Sequence, residues 1–123
     1  MIDHISLPVS DLRRSREYYV KALATIGYVL QVDRSDEGVA GLGEPGNPDF
    51  WLIGDTSDMP RIHVAFRVTS RKQVDAYFKA ATHAGGRDNG GPGLRPHYGQ
   101  NYYAAFVLDP DGHNIEAVCY EAE

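Results

Sequence analysis

The sequence is poor in cysteine and has no long hydrophobic run. Cys119 is the single cysteine among 123 residues, so an internal disulfide is excluded and a reducing compartment is expected. No apolar stretch approaches the roughly 18 residues of a membrane-spanning helix. The N-terminus also lacks a basic region followed by a hydrophobic signal core. We therefore expect a cytoplasmic protein without membrane contacts.

Basic residues are too few for a nucleic-acid-binding surface. The chain has 12 Lys and Arg against 17 Asp and Glu, which gives a formal net charge of -5, and no Lys- or Arg-rich run. We therefore do not expect DNA or RNA as a partner. What is present, 42% hydrophobic and 24% charged residues, is typical of a single folded domain with enough core to be stable.

The chain repeats itself at a constant offset. Residues 2–9 (IDHISLPV) align with residues 61–68 (RIHVAFRV), and His4 and His63 fall at the same point of the two copies. The alignment continues through the helical segments that follow. A steady offset indicates a duplicated supersecondary unit. We expect two modules, about 1–54 and 61–121, joined within a single domain by a polar linker at 55–60.

Hydrophobic periodicity predicts the same element order in each half: a strand, a helix and about three strands. The first helix is capped by Ser10 or Asp11 and ends at Gly27, and the second opens with a serine-to-glutamine capping box at Ser70. Residues 87–100 are rich in Gly and Pro, which predicts a loop with one short strand at most. The predicted strands are 2–9, 28–33, 38–42, 49–54, 62–68, 102–108 and 113–120.

Three side chains are candidates for metal chemistry. His4 and His63 alternate with apolar residues, so both face away from the helices, and Glu116 does the same on the last strand. A lone strand histidine is usually structural, and a carboxylate on an exposed strand face is usually solvated. Two histidines at equivalent positions, with a carboxylate on a third strand, favour a ligand role. Two imidazoles and one carboxylate suit a divalent Fe, Mn, Ni or Zn ion with open positions.

Substrate contacts are expected in and after the segment 87–100. Arg95 can hold a carboxylate or phosphate, and Tyr98, Tyr102 and Tyr103 can wall a pocket. The alternative is a solvated arginine and core tyrosines. The segment has few side chains to bury, so we expect a mobile lid.

Three residues outside this segment each allow a structural as well as a functional interpretation. Trp51 either packs in the core or walls the pocket, and its predicted strand face favours the wall. Cys119 alternates onto the face opposite Glu116, so it is interpreted as a small core residue rather than a nucleophile. His113 follows a turn glycine, and we expect it to serve the turn geometry or to meet solvent.

The run from Ile2 to Leu12, the restart at His63 and the segment 109–116 (DPDGHNIE) together resemble the vicinal oxygen chelate superfamily. It groups glyoxalases, extradiol dioxygenases, fosfomycin-modifying enzymes and bleomycin-resistance proteins. The likeness spans nearly the whole chain. It implies an α+β fold of two βαβββ modules whose mixed sheet forms an open cup around a metal ion. A second chain often completes that cup in this superfamily, so we expect a homodimer.

The resemblance also implies which residues hold the metal: His4, His63, Glu116 and a fourth position within 49–53. Trp51 falls where glyoxalases carry a metal-binding glutamate, so classical lactoylglutathione lyase activity is not expected. The remaining three resemble the two-histidine, one-carboxylate triad of extradiol dioxygenases, with Glu116 also the catalytic carboxylate. His97 and His113 are candidates for the additional acid or base that those enzymes use.

Two function classes follow from the resemblance. The first is a divalent-metal-dependent enzyme that chelates adjacent oxygens of a small molecule, either a lyase or isomerase or a ring-cleaving dioxygenase. The second is a metal-free binding protein of the bleomycin-resistance type, which sequesters a ligand in the same cup without turnover. The presence of three of the four ligand positions favours the enzyme.

Overall fold

The computed structural model describes residues 1–122 and divides them into two compact units. The first unit is Met1–Pro60 and the second begins at Arg61. Each unit contains one α-helix and one mixed β-sheet, which confirms the predicted α+β class. Within the described residues, no helix combines the length and the apolar character needed to cross a membrane.

The first unit follows the predicted order of strand, helix and three strands. The elements are β1 (Ile5–Pro8), α1 (Leu12–Leu23), β2 (Val29–Arg34), β3 (Val39–Glu44) and β4 (Asn47–Ile53). The sheet has the strand order β1-β4-β3-β2, in which β1 and β4 run parallel and the other neighbours are antiparallel.

Helix α1 begins where its sequence signals predict, but it ends at Leu23, four residues before the predicted stop at Gly27. The Asp11 carboxylate accepts a hydrogen bond from the Arg14 amide, which satisfies one of the unpaired N–H groups of the first turn. At the other end a 3-10 turn leads to Gly27, whose φ of 89° is readily adopted only by glycine. Between these signals, one face of the helix is buried against the sheet. Its residues are Leu12, Ser15, Tyr18, Tyr19, Ala22 and Leu23.

The second unit repeats this plan with one variation. The elements are β5 (His63–Arg67), α2 (Arg71–His83), β6 (Arg87–Asp88), β7 (Gly93–Leu94), β8 (Tyr103–Leu108) and β9 (Asn114–Cys119). The sheet has the strand order β5-β9-β8-β6, β5 runs parallel to β9, and β7 also pairs with β8. The predicted cap of α2 is confirmed, because the Ser70 side chain accepts a hydrogen bond from the Gln73 amide.

Strands β6 and β7 form an interrupted edge strand along β8. The segment between them stays attached, since the Asn89 amide donates to the Phe106 carbonyl and the Phe106 amide donates to the Gly90 carbonyl. The prediction of at most one short strand in this segment is therefore wrong. Glycine and proline indicated a loop, but main-chain pairing with a neighbouring strand requires no side chains.

The two faces of the second sheet differ in chemistry. Tyr103 donates its hydroxyl to Asp75 of α2 and pairs across the sheet with Cys119, so both side chains lie on the helix side. Cys119 is fully buried there, which confirms its interpretation as a core residue. Alternation places Glu116 on the opposite face, together with its cross-strand partner Phe106. The helix-free face therefore carries the candidate chemistry.

Candidate functional site

Glu116 is a buried carboxylate on the helix-free face of β9. The residue is 1% exposed, so its charge is almost fully removed from water and requires polar partners. One partner comes from β5, where the His63 Nε2 atom lies 3.0 Å from Glu116 Oε1. Parallel pairing brings them together, because β5 lies beside β9 with Ala65 opposite Glu116.

The hydrogen bond made by His63 Nδ1 determines which ring nitrogen carries the proton in the neutral imidazole. His63 Nδ1 lies 2.9 Å from the main-chain carbonyl of Asn114, and a carbonyl oxygen accepts only, so Nδ1 carries a proton. In the neutral ring Nε2 is then an unprotonated lone pair facing a carboxylate oxygen. Two electron-rich atoms repel each other at this distance, so a cation must lie between them, either a proton or a metal ion.

Tyr102 holds the other oxygen of the same carboxylate. Its hydroxyl donates to Glu116 Oε2, and its ring makes edge contacts with Tyr98 and Tyr120 at centroid distances of 5.4 and 5.2 Å. Burial, reinforced by the hydrogen bond to Glu116, raises the pKa of Tyr102 above the ordinary tyrosine value. Tyr102 is therefore a neutral donor that orients Glu116 and leaves Oε1 to face His63.

Replacing Tyr102 with phenylalanine is expected to destabilise the fold by about 1–3 kcal/mol, because the buried Oε2 atom loses its donor. The measurement is urea unfolding near neutral pH. Tyr103→Phe is a neighbouring control whose hydroxyl binds an exposed carboxylate instead, and it should cost less. Since the folded-state pKa of Tyr102 is raised, its contribution should persist at neutral pH and decline as pH rises above about 10. Equal stability of Tyr102→Phe and wild type would contradict this role.

A cavity of about 280 Å³ lies in the second unit, and two of its lining residues, Phe106 and Asn114, contact His63. Asn114 connects the cavity to His63, because it lines the cavity and its carbonyl holds the His63 ring. Arg95 and Tyr98, which the sequence proposes as substrate-binding residues, both line it. The full lining is Asn89, Gly90, Arg95, His97, Tyr98, Phe106 and Asn114.

Arg95 is fixed in its position by its own segment. Its Nη1 and Nη2 atoms donate to the carbonyls of Gly93 and Gly91, each at 2.8 Å, and its amide donates to the Tyr102 carbonyl at 2.7 Å. These bonds, and the pairing of β6 and β7 with β8, hold the guanidinium at the cavity. The lid motion of the segment 87–100 stays a prediction.

Sequence reasoning missed Asn114 and Phe106. Asn114 lies two residues before Glu116 on the same strand, so alternation alone places both on one face. Phe106 lies opposite Glu116 on β8, which only the strand register reveals. Asn89 also lines the cavity, from the segment between β6 and β7.

Two predicted residues lie elsewhere. Tyr103 does not wall the cavity, because it faces α2, where its hydroxyl lies 2.6 Å from Asp75 Oδ1 and the Arg71 guanidinium covers its ring. His113 does not meet solvent, because it is fully buried and its Nδ1 atom accepts a hydrogen bond from the Ile62 amide at 3.0 Å. His113 thus ties the turn before β9 to the residue that precedes β5.

Two further predicted site residues belong to the first unit, and one of them is His4. It immediately precedes β1, its side chain is about half exposed, and its Nδ1 atom lies 2.7 Å from Asp3 Oδ1. His4 is thus available at the surface of the first unit, with a carboxylate beside it. Its role as a metal ligand stays a prediction.

The other is Trp51, which occupies the position in the first unit that Glu116 occupies in the second. Trp51 pairs in parallel register with Ser6, and Glu116 pairs in the same way with Ala65, the repeat equivalent of Ser6. Its ring covers Gly41, where a Cβ atom would approach Cζ3 to 2.6 Å. An aromatic ring therefore replaces the carboxylate in the first unit.

The His63–Glu116 pair fits two positions of a metal coordination sphere. Ligand atoms bound at about 2.1 Å and at right angles to each other stand about 3.0 Å apart, which matches the Nε2–Oε1 distance of 3.0 Å. A ligating histidine whose other nitrogen donates to a carbonyl is the usual outer-shell arrangement. Across residues 1–122, however, no three His, Cys, Asp or Glu side chains form a metal-binding group. The pair is thus a partial ligand set.

Comparison with known proteins agrees with this architecture. Residues 1–117 match the model of the Glyoxalase/Bleomycin resistance protein/Dioxygenase superfamily. No protein of curated function shows significant sequence similarity. A glyoxalase/bleomycin resistance protein from Albidiferax ferrireducens T118 is similar in structure, with a TM-score of 0.77, 25% identity, and coverage of 95% of this chain and 96% of that one.

Two further solved structures resemble the chain over nearly its full length. A possible glyoxalase from Bacillus cereus has a TM-score of 0.68 at 25% identity, covering 97% of this chain and 98% of that one. A glyoxalase/bleomycin resistance protein/dioxygenase family enzyme from Burkholderia phytofirmans PsJN has a TM-score of 0.73 at 17% identity, with 98% of each chain covered. The chain belongs to the glyoxalase/bleomycin resistance protein/dioxygenase superfamily.

Proposed function

We propose that this chain is a divalent-metal-dependent enzyme that acts on a small molecule through two adjacent oxygens, either as a lyase or isomerase or as a dioxygenase. The observation that carries the proposal is the position of the His63 Nε2 atom, 3.0 Å from the buried Glu116 Oε1 atom. His63 and Glu116 would hold an Fe, Mn, Ni or Zn ion. His4 is the predicted third ligand.

The residues around the pair serve that purpose in distinct ways. Asn114 fixes the His63 tautomer so that Nε2 is free to bind, and Tyr102 occupies Oε2 so that Glu116 presents one oxygen. One carboxylate and neutral imidazoles leave a divalent ion with net positive charge. When bound, the ion would supply Lewis acidity to the substrate oxygens as negative charge develops on them. Glu116 is also the proposed catalytic carboxylate.

The cavity beside the pair would position the substrate. Arg95 offers a cation, and Tyr98 and Phe106 offer aromatic walls. Trp51, in the first unit, stays a predicted substrate-binding residue. Because Trp51 stands where glyoxalases carry a glutamate, we propose a reaction other than lactoylglutathione formation. That the protein is a homodimer and lies in the cytoplasm stays a prediction.

A ligand-sequestering protein of the bleomycin-resistance type is the second candidate. The cavity supports this candidate, because Arg95 and the aromatic walls would bind an organic anion without a metal. In that case Glu116 would remain paired with a protonated His63. The two candidates differ in whether the pair takes up a metal.

Metal analysis separates the two candidates. Protein purified without chelators or added metal should retain close to one divalent ion per chain, as measured by inductively coupled plasma mass spectrometry. Stripped protein should rebind such an ion in calorimetric titration with Mn, Fe, Ni and Zn salts under anaerobic conditions. Retention of no metal, with no heat of binding for any of the four, would reject the enzyme and favour sequestration.

A further inference from the structure

We propose that His113 is a positioning residue for the His63–Glu116 pair, and that it acts by holding the Ile62 amide. The inference deepens the proposed function and rests on it only for metal binding. It assigns a role to the turn before β9, which lies outside the cavity lining. Because its side chain is fully buried, His113 acts through its neighbours rather than as an acid or base that meets the substrate.

The His63 ring lies where two neighbouring strands begin. Pairing between β5 and β9 starts at His63 and Asn114, which are the first residues of their strands. The ends of a strand open more easily than its centre, because fewer hydrogen bonds hold them. The His63 ring must nevertheless reach two partners at once, the Asn114 carbonyl at 2.9 Å and Glu116 Oε1 at 3.0 Å. Its position therefore depends on what anchors the residue before it.

Ile62 is that residue, and both of its main-chain groups are bound at the start of β9. Its carbonyl accepts a hydrogen bond from the Asn114 amide at 2.9 Å. Its amide donates to the ring of His113, with Nδ1 at 3.0 Å. The His113 side chain thus extends the pairing of the two strands one residue beyond His63. An acceptor is needed at this point, because a partly buried amide without a partner costs free energy.

The turn before β9 holds His113 in place. Asp109 Oδ1 accepts from the amides of Asp111 and His113 at 2.9 and 2.8 Å, and the Asp109 amide donates to the His113 carbonyl at 2.9 Å. Gly112 completes the turn at a φ of 87°, where a Cβ atom would come within 2.7 Å of Arg61 Nε. The main chain of His113 is therefore fixed at its N–H and C=O groups, and its ring is enclosed by the protein.

The bond to Ile62 also sets the tautomer of His113. Because Nδ1 accepts, the neutral ring carries its proton on Nε2. His63 has the opposite arrangement, since its Nδ1 donates to the Asn114 carbonyl. The two bonds act on adjacent residues: His113 holds the main chain at Ile62, and Asn114 orients the ring of His63. Loss of the first bond should displace the His63 ring while both proposed metal ligands are still present.

Three substitutions of His113 separate the acceptor from packing. His113→Asn places an amide oxygen where Nδ1 lies and keeps the acceptor, although it leaves a void. His113→Gln carries its oxygen beyond that position, and His113→Leu fills the space without an acceptor. Zinc affinity, measured by calorimetry, should stay within about threefold of wild type in His113→Asn and fall about tenfold or more in the other two variants. A residue that only packs would give the reverse order, with His113→Leu closest to wild type.

NMR of the metal-free protein gives a readout that does not depend on metal binding. In wild type, the neutral His113 ring should carry its proton on Nε2. Exchange of the Ile62 amide should be about tenfold or more faster in His113→Gln and His113→Leu than in wild type and His113→Asn, while the amides of α2 stay protected. The ring signals of His63 should shift in the same two variants only.

The inference is overturned by a neutral His113 ring with its proton on Nδ1, or by wild-type zinc affinity in both His113→Gln and His113→Leu. If His113→Leu does not fold, His113→Gln alone carries the comparison with His113→Asn. Zinc binding by none of the four proteins would reject the proposed enzyme, and the Ile62 exchange rates and His63 ring signals would then decide whether His113 positions the pair.

Discussion

His63→Ala is expected to lower the affinity for divalent metal ions by more than about 100-fold. The physical reason is that Nε2 is the nitrogen ligand facing Glu116, and a direct ligand contributes at least as much as the outer-shell partners, whose loss costs about 10–100-fold. The protein should remain folded, because the His63 side chain is about half exposed, but stability should fall by about 1–3 kcal/mol, since the buried Glu116 Oε1 atom loses its partner. The measurement is calorimetric titration of stripped protein with zinc or nickel.

His83→Ala is the matched control for this change. His83 lies in the last turn of α2 and belongs to neither the pair nor the cavity lining, so its removal should leave metal affinity within a factor of about two. His4→Ala tests the predicted third ligand separately. Wild-type affinity in His63→Ala would show that the metal, if bound, is held elsewhere.

Glu116→Gln is expected to abolish tight metal binding while the protein remains folded. The amide keeps an oxygen that accepts from the Tyr102 hydroxyl, and its NH₂ group can donate to the His63 Nε2 lone pair, so both hydrogen bonds survive. What disappears is the negative charge, which is the main attraction for a divalent ion in a buried site. Unfolding free energy should change by less than about 1 kcal/mol, and metal affinity should fall by more than about 100-fold.

Glu116→Leu separates these two contributions. Leucine removes the charge and both hydrogen bonds, so the Tyr102 hydroxyl loses its acceptor and stability should fall by about 1–3 kcal/mol. Both variants should lose metal binding to the same extent, although only the leucine variant is destabilised. A glutamine variant that binds metal as wild type does would contradict the ligand role of Glu116.

The fold was accessible from the sequence because its signals are local and occur twice. Asp11 and Ser70 cap their helices through their own side chains, and Gly27 ends the 3-10 turn after the first helix at a positive φ. Strand alternation then fixes which residues face the helices. The interrupted edge strand was not accessible, because main-chain pairing of 87–94 with β8 has no side-chain signature.

The site was accessible in part. His63 and Glu116 were identified from the repeat and from alternation, and the structure brings them to 3.0 Å. Tyr102 and Tyr103 were both assigned to the pocket, yet alternation already implies that residues adjacent in a strand face opposite sides. Which of them meets Glu116 depends on the turn before β8, where Asn101 adopts a φ of 60° and the Tyr102 amide bonds to the Gly99 carbonyl.

X-ray absorption at the bound ion is the most direct test of the proposed metal site. Stripped wild-type protein loaded with one equivalent of zinc should show a coordination sphere of nitrogen and oxygen atoms at about 2.0–2.2 Å with an imidazole contribution. That contribution should be reduced in His63→Ala and unchanged in His83→Ala. An imidazole contribution identical in all three proteins, or a zinc coordinated by water alone, would contradict a metal site at His63 and Glu116.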